Sequence, residues 1–397
     1  MGTKGRGHRL VVLLALTAAA LLSCAPAGAK TKLPKPRKGP AGLAFYKPPK
    51  KLPKGHGEVV WFRAAAPKKA VPGVKSTRRL LYTSTSPQGR RIAVSGYVSV
   101  PRGKPPRGGW PVIAWAHGTT GIADKCAPSR YLDGGPSESF VREWVAAGYA
   151  VASTDYPGLG TPGIHPYLVG KSEGRGILDI VRASRRLERS IGRRFVIAGA
   201  SQGGQSALFA GSLARRWTPE LRLRGTLAYA PGSHLYEQKN LLPALTGPSP
   251  LSAVAALILA GAVTTSKALK PESILTGPAL ALYPEVDTKC LPELSLSDSF
   301  GGLAPSTLIR SDADTSVLDE ALKAMNPAVR IHGPVVLAQG SADATAFPFY
   351  TVQLRGELEA RGSKVRYWHY EGVDHGGIVD AARADSLAFF KRRLPRD

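Results

Sequence analysis

The sequence predicts an α/β fold, a mostly parallel, doubly wound sheet with helices on both faces, interrupted late in the chain by a mainly helical cap. Three observations carry this. Short apolar runs of strand length alternate with amphipathic stretches of helix length from about residue 112 onward. The alternation stops over residues 235–328, where Pro and Gly breaks surround an apolar helical run, Leu251 to Val263, with no parallel strand evident. It then resumes to the C-terminus. At 397 residues and 43% hydrophobic, the chain buries one large core without staples.

Residues 1–29 read as an export leader. Lys4, Arg6 and Arg9 form a charged start, Leu10 to Leu22 an apolar stretch short for a membrane span, and Ala27-Gly28-Ala29 a small-residue cleavage site. Leu21-Leu22-Ser23-Cys24 also resembles a lipobox, in which Cys24 becomes lipidated. The expected location is therefore outside the cytoplasm, either secreted or lipid-anchored at the envelope. Residues 30–75, rich in Pro, Lys and Gly, read as a basic linker that becomes a docked arm, with Phe45-Tyr46 and Trp61-Phe62 as anchors. Sixteen Lys or Arg against one acid, Glu58, precede residue 76, so fifteen of the 26 net positive charges sit there. That distribution fits a solvated tail or a contact with an anionic envelope surface. It does not point to nucleic acid, because no basic platform interleaved with aromatics is evident in the core.

The core reads in two parts, 76–234 and 329–397. Leu80 to Ser84 and Arg91 to Val100 alternate and are joined through Ser86-Pro87-Gln88-Gly89, which is hairpin chemistry. The apolar runs that follow are Val112 to Ala116, Tyr149 to Ser153, Phe195 to Ala198 and Thr226 to Ala230, then Val335 to Ala338 and Val365 to Tyr370 beyond the cap. Ser172 to Ile191 is the clearest helix, with Ile177, Ile180, Val181, Ser184, Leu187 and Ile191 on one face and arginines on the other.

Two Gly-x-Ser-x-Gly patterns occur, and their contexts differ. Gly170-Lys171-Ser172-Glu173-Gly174 follows loop-like His165-Pro166-Tyr167 and leads into the amphipathic helix, so Ser172 reads as its N-cap. Gly199-Ala200-Ser201-Gln202-Gly203 follows a strand and precedes a small-residue helix, Gln205 to Leu213. A tight strand-to-helix turn raises the hydroxyl above the sheet at a helix N-terminus, as in the nucleophile elbow of the α/β-hydrolase fold. A serine needs a base. His375, in Gly372-Val373-Asp374-His375-Gly376-Gly377, follows the last strand, where this fold places one. Asp343, after the strand Val335 to Ala338, gives the order Ser, Asp, His and would hold the imidazole tautomer. Asp374 competes, but adjacent loop residues seldom face each other, and Asp312 and Asp314 fall in the cap. The oxyanion donors expected are the amides of Gln202 and, within His117-Gly118-Thr119-Thr120-Gly121, Thr119; His117 itself suits that loop better than the role of base.

Ala114-Trp115-Ala116-His117-Gly118-Thr119-Thr120-Gly121, Lys125-Cys126-Ala127-Pro128-Ser129, Thr154-Asp155-Tyr156-Pro157-Gly158-Leu159-Gly160 and Ala200-Ser201-Gln202-Gly203-Gly204 together resemble the secretory lipase family, from about Phe45 to the C-terminus. The resemblance implies a capped α/β-hydrolase with triacylglycerol lipase or esterase activity and a triad on Ser201, Asp343 and His375. It also implies a disulfide joining Cys126 to Cys290 in the cap, a pairing that an oxidising compartment favours. The partner implied is an ester or lipid substrate, and no cofactor is expected. Histidine spacing and only three cysteines argue against a metal site. An acyltransferase or serine peptidase could use the same triad, and a non-enzymatic, basic envelope-binding protein is the alternative outside enzymes.

Overall fold

The computed structural model describes residues 1–3, 36–65, 71–132 and 138–396. Apart from residues 1–3, the leader pattern lies outside the described residues, as does Cys24. Among the described residues nine strands form one sheet: β1 (Val59–Ala64), β2 (Val74–Thr85), β3 (Arg91–Pro101), β4 (Trp110–Ala116), β5 (Ala150–Thr154), β6 (Ile191–Ala200), β7 (Arg222–Tyr229), β8 (Pro334–Gly340) and β9 (Lys364–Tyr370). Their spatial order is β1-β2-β3-β5-β4-β6-β7-β8-β9. The first three form an antiparallel meander that pairs antiparallel with β5; from β5 to β9 every pairing is parallel.

Burial explains the patterning. Every residue of β4, Trp-Pro-Val-Ile-Ala-Trp-Ala, is buried, as a strand covered on both faces requires. One cover consists of α2 (Gly170–Leu187) and α3 (Gln202–Trp217), after α1 (Ser139–Ala146) has packed on the opposite face. Ile177, Ile180 and Ala210 meet Val112 and Phe195 on the first side, while Val141 and Trp144 meet Ile113 and Val196 on the second. The chain leaves β4 for β5 on one side and returns to β6 on the other, so a crevice opens at the C-terminal ends of β4 and β6.

Between β7 and β8 the described chain is helical: α4 (Leu235–Lys239), α5 (Leu251–Val263), α6 (Pro271–Ile274), α7 (Gly277–Leu282), α8 (Leu291–Leu294) and α9 (Ser316–Ala324), with short 3-10 turns between them. These helices hold their own apolar cluster, including Leu257, Leu294, Phe300 and Leu322, on a floor that includes Ile122, Tyr167 and Leu168. The chain then returns to β8, α10 (Pro348–Ala360), β9, α11 (Ile378–Ala381) and α12 (Arg383–Arg393). Cys126 and Cys290 are joined by a disulfide, 164 residues apart in sequence. Beside it Leu291 N–H donates to Thr120 O at 2.9 Å, stitching the cap to the loop after β4. No helix among the described residues is long and apolar enough to cross a membrane.

Three local expectations need correction. The stretch read as linker contains β1, which adds an edge strand to β2 through pairs such as Phe62↔Leu80, while Trp61 Nε1–H donates to Phe45 O at 2.9 Å. Lys- and Pro-rich flanks hid six residues whose strand state depends on a remote partner. The long helix ends at Leu187, because Glu188 is extended and Ile191 opens β6. Ser172 is not the N-cap of α2; Val169 is, and the Ser172 hydroxyl is buried without a partner among the described residues. Glu173 reaches back to accept Leu168 N–H at 3.0 Å, so the helix starts earlier than the serine suggests.

Candidate active site

At the end of β6 the backbone turns straight into α3, and Ser201 occupies the turn with φ 57° and ψ −116°. A serine rarely adopts positive φ, so its neighbours must hold it there. They do so closely. Ser201 N–H donates to Tyr229 O at 2.8 Å at the end of β7. A Cβ on Gly199 would lie 2.2 Å from Gly203 O, and one on Gly203 would lie 1.9 Å from Ala116 O. The glycines around Ser201 are thus a steric requirement of this turn.

His375, in the loop after β9, brings Nε2 to 2.9 Å from Ser201 Oγ and Nδ1 to 2.8 Å from Asp343 Oδ2. With Asp343 ionised its carboxylate only accepts, so Nδ1 carries the proton and Nε2 offers its lone pair to the serine hydroxyl. Asp343, in the loop after β8, is fixed in turn. Its Oδ1 accepts the amides of Thr345 and Ala346 at 2.8 Å each, and Oδ2 accepts Gln339 Nε2 at 3.0 Å. Burial by itself would raise the Asp343 pKa, but His375 and the two amides outweigh it and hold the carboxyl below its ordinary range. The competing carboxylates are occupied elsewhere: Asp374 accepts Gly377 N–H at 2.8 Å, Asp312 pairs with Arg310, and Asp314 accepts Ser316 N–H.

The loop after β4 borders the same serine, since a Cβ on Gly118 would lie 3.9 Å from Ser201 Cβ. Thr119 follows, with Oγ1 2.6 Å from Tyr167 OH. Gln202 opens α3, so its amide belongs to the first turn, which has no intrahelical carbonyl to serve. His117 is buried beneath this loop with Nδ1 2.7 Å from Gly118 O, and burial lowers its pKa. It does not reach Ser201 by any hydrogen bond among the described residues.

Behind the turn lies a buried network that the motifs do not announce. His165 Nδ1–H donates to Pro157 O at 2.8 Å, so Nε2 is an acceptor and takes one hydrogen of the Gln202 amide at 2.9 Å. The other hydrogen goes to Glu173 Oε1 at 2.7 Å, and Ser206 Oγ–H donates to Glu173 Oε2. Burial pushes His165 down to about 3 and keeps it neutral at neutral pH. It pushes Glu173 up to about 7, against the Ser206, Gln202 and Leu168 donors. At neutral pH the 3.4 Å approach of His165 Nε2 to Glu173 is therefore not an ion pair. The network holds the Gln202 side chain from both hydrogens and so fixes the first turn of α3. Glu173 sits in the Gly170–Gly174 pattern, where the acid rather than the serine was the signal.

An open apolar cavity begins at Ser201 and Gln202 and runs into the cap. Leu235, Leu242, Val254, Leu259, Phe300 and Leu322 are among its walls. Lys239 also borders it, with Nζ held 2.7 Å from Asp319 Oδ1 and 3.0 Å from Thr315 Oγ1.

The family model described as Secretory lipase matches residues 136–297. No curated protein matches the sequence significantly. Lipase A from Candida antarctica superposes with a TM-score of 0.70 at 18% identity, over 86% of this chain and 84% of that one. The rice cell wall degrading esterase LipA from Xanthomonas oryzae gives 0.69 at 19% identity, over 86% and 98%. Likeness at such identity speaks for the fold, and the family match speaks for the segment that contains β6, the elbow serine and the first part of the cap. The chain has the α/β-hydrolase fold, and its residues 136–297 match the secretory lipase family model.

Proposed function

We infer that this exported protein hydrolyses carboxylic esters with a sizeable apolar acyl group, through an acyl-enzyme on Ser201. The observation that carries the reading is Ser201 Oγ, 2.9 Å from His375 Nε2, beside an apolar cavity that runs into the cap. In the first half-reaction Ser201 Oγ attacks the ester carbonyl while His375 Nε2 takes its proton. Asp343 keeps Nδ1 protonated and stabilises the imidazolium. The tetrahedral oxyanion is met by the amides of Gln202 and Thr119. Collapse expels the alcohol, which receives the proton from His375. Water then attacks the acyl-enzyme with His375 again as base, and the carboxylic acid leaves as Ser201 recovers its proton.

The cavity supports the substrate class. Its walls are almost wholly apolar and supply no charged group free to bind a polar side chain, since Lys239 is already paired with Asp319. An aliphatic chain gains about 0.8 kcal/mol per buried CH₂ there. The disulfide and the family match fit an oxidising site beyond the cytoplasm. Intact mass of the mature protein separates a secreted form starting near Lys30 from one carrying a diacylglyceryl group on Cys24.

Hydrolysis of p-nitrophenyl esters and triglycerides, with a serine-directed phosphonate as label, tests the reading. Ser201→Ala should lose both turnover and labelling with the fold intact. Asp343→Asn should lower kcat by about 10⁴, since a neutral partner no longer enforces the tautomer. Labelling that persists in Ser201→Ala, or near-normal turnover by Asp343→Asn, overturns these assignments.

A further inference from the structure

The parallel part of the sheet has two ends of opposite character. The C-terminal ends of β4, β6, β8 and β9 lead into Gly118, Ser201, Asp343 and His375. The other end is basic. Helices that connect parallel strands run back antiparallel to them, so the C-termini of α2, α3 and α12 reach the same end as the starts of β6, β7 and β9. β6 opens with Arg193 and Arg194, and β7 with Arg222 and Arg224; Arg194 and Arg222 are register partners. The last turn of α3 adds Arg215 and Arg216, both exposed.

The strip continues across the sheet. Lys364 and Arg366 of β9 share one groove with Arg392 and Arg393 of α12. Lys104, Lys391 and Arg396 border a second groove next to the start of β4. A Cβ on Gly109 would lie 2.7 Å from Gly192 N, so the loop before β4 packs directly on the start of β6 and the strip has no gap there.

Acids at this end are already used. Glu188, Glu220 and Glu359 pair with Arg78, Arg182 and Arg355. By contrast Arg193, Arg222, Arg224, Lys364, Arg366 and Arg392 make no ion pair among the described residues and are exposed. Like charge left uncompensated on one edge opposes folding by self-repulsion, which a bound polyanion relieves. The exposed large apolar side chains lie elsewhere, Leu241 on the cap and Phe349 at the start of α10 for example.

We propose that this basic edge docks a linear polyanion whose repeating charged groups are phosphates, with the Ser201 end of the sheet facing away from it. Arginine predominates, and its planar fork matches phosphate oxygens in pairs. Grooves lined by cations suit a chain. A bilayer surface would be served by exposed apolar side chains set among the cations, and a single-stranded nucleic acid by exposed stacking aromatics; of the aromatics that line the two grooves, Trp110, Tyr149 and Phe389 are buried and Trp368 is half-buried. Bound in this way, the protein is retained on an anionic scaffold with its cavity mouth open.

The test uses the full chain and fluorescent long-chain polyphosphate, read by anisotropy across a salt series. Two triple variants, R193Q/R222Q/R224Q and K364Q/R366Q/R392Q, should each bind at least tenfold more weakly. Each should also flatten the slope of log affinity against log salt by about 2. A charge-matched arm variant, K47Q/K50Q/K51Q, should stay within twofold of wild type. Hydrolysis of a soluble short-chain ester should be the same in all four proteins and unchanged by saturating polyphosphate. Wild-type binding by both edge variants, an equal loss in the arm variant, or hydrolysis blocked by polyphosphate overturns the proposal. So does tighter binding to phosphatidylglycerol vesicles or duplex DNA at equal phosphate concentration. The binding measurements do not depend on the ester-hydrolase reading.

Discussion

Ser201 and Ser172 occupy the same five-residue pattern and have nothing else in common. Ser201 stands at positive φ in a strand-to-helix turn with His375 in reach, whereas Ser172 lies in the first turn of α2 with a buried hydroxyl that has no partner among the described residues. Ser172→Ala removes an unsatisfied polar atom and should leave turnover unchanged and stability within about 1 kcal/mol, measured by denaturant titration. Glu173, one residue on, should behave quite differently. Its carboxyl titrates near 7 instead of 4.5, so the folded state holds a proton that the unfolded chain has released between those values. The stability this contributes is full below about pH 4.5 and is lost as pH rises through about 7. Glu173→Gln cannot titrate. The stability difference, wild type minus variant, should fall by up to about 3 kcal/mol between pH 4.5 and 8. A pH-independent difference would mean that Glu173 titrates normally.

At the scale of elements, the cap helices set how far an acyl chain can extend. Ala256 on α5 is buried and lines the cavity near Leu259. Its methyl leaves room that a phenyl ring would fill. Ala256→Phe should therefore shift the optimum of a p-nitrophenyl ester series to shorter chains, lowering kcat/KM for long esters by about tenfold or more while sparing acetate. That corresponds to losing burial of two or more methylenes at about 0.8 kcal/mol each. An unaltered chain-length profile would place the acyl group outside this cavity. The same helix was legible beforehand: thirteen residues, Leu251–Val263, without a charge can only be buried or half-buried, and their ends coincide with the apolar run in the sequence. β1 was not legible in the same way. Its identity as a strand rests on pairing with β2 about twenty residues on, beyond any local window.

For the whole molecule, the Cys126–Cys290 bond closes a loop of 164 residues between core and cap. Restricting the unfolded chain over such a loop contributes about 3–5 kcal/mol. The double variant Cys126→Ser/Cys290→Ser should unfold at lower denaturant by that amount, and thiol titration of the unreduced mature protein should find neither cysteine free. Two reactive thiols in freshly exported protein would contradict the pairing.

Sequence by itself determined the alternation of strands and helices from β4 onward, the interruption by the cap and the elbow pattern around Ser201, because hydrophobic period and glycine spacing are local quantities that survive without a partner. It also ordered Ser201, Asp343 and His375 along the chain. What only the tertiary structure decided is non-local. The Glu173–Gln202–His165 network joins residues up to 37 positions apart. Its members look like ordinary loop and helix residues until folding buries them together and burial moves their pKa values. The basic edge has the same origin. Its arginines are scattered through α3, β6, β7, β9 and α12, and they become one surface because parallel strands all start at the same end of a sheet.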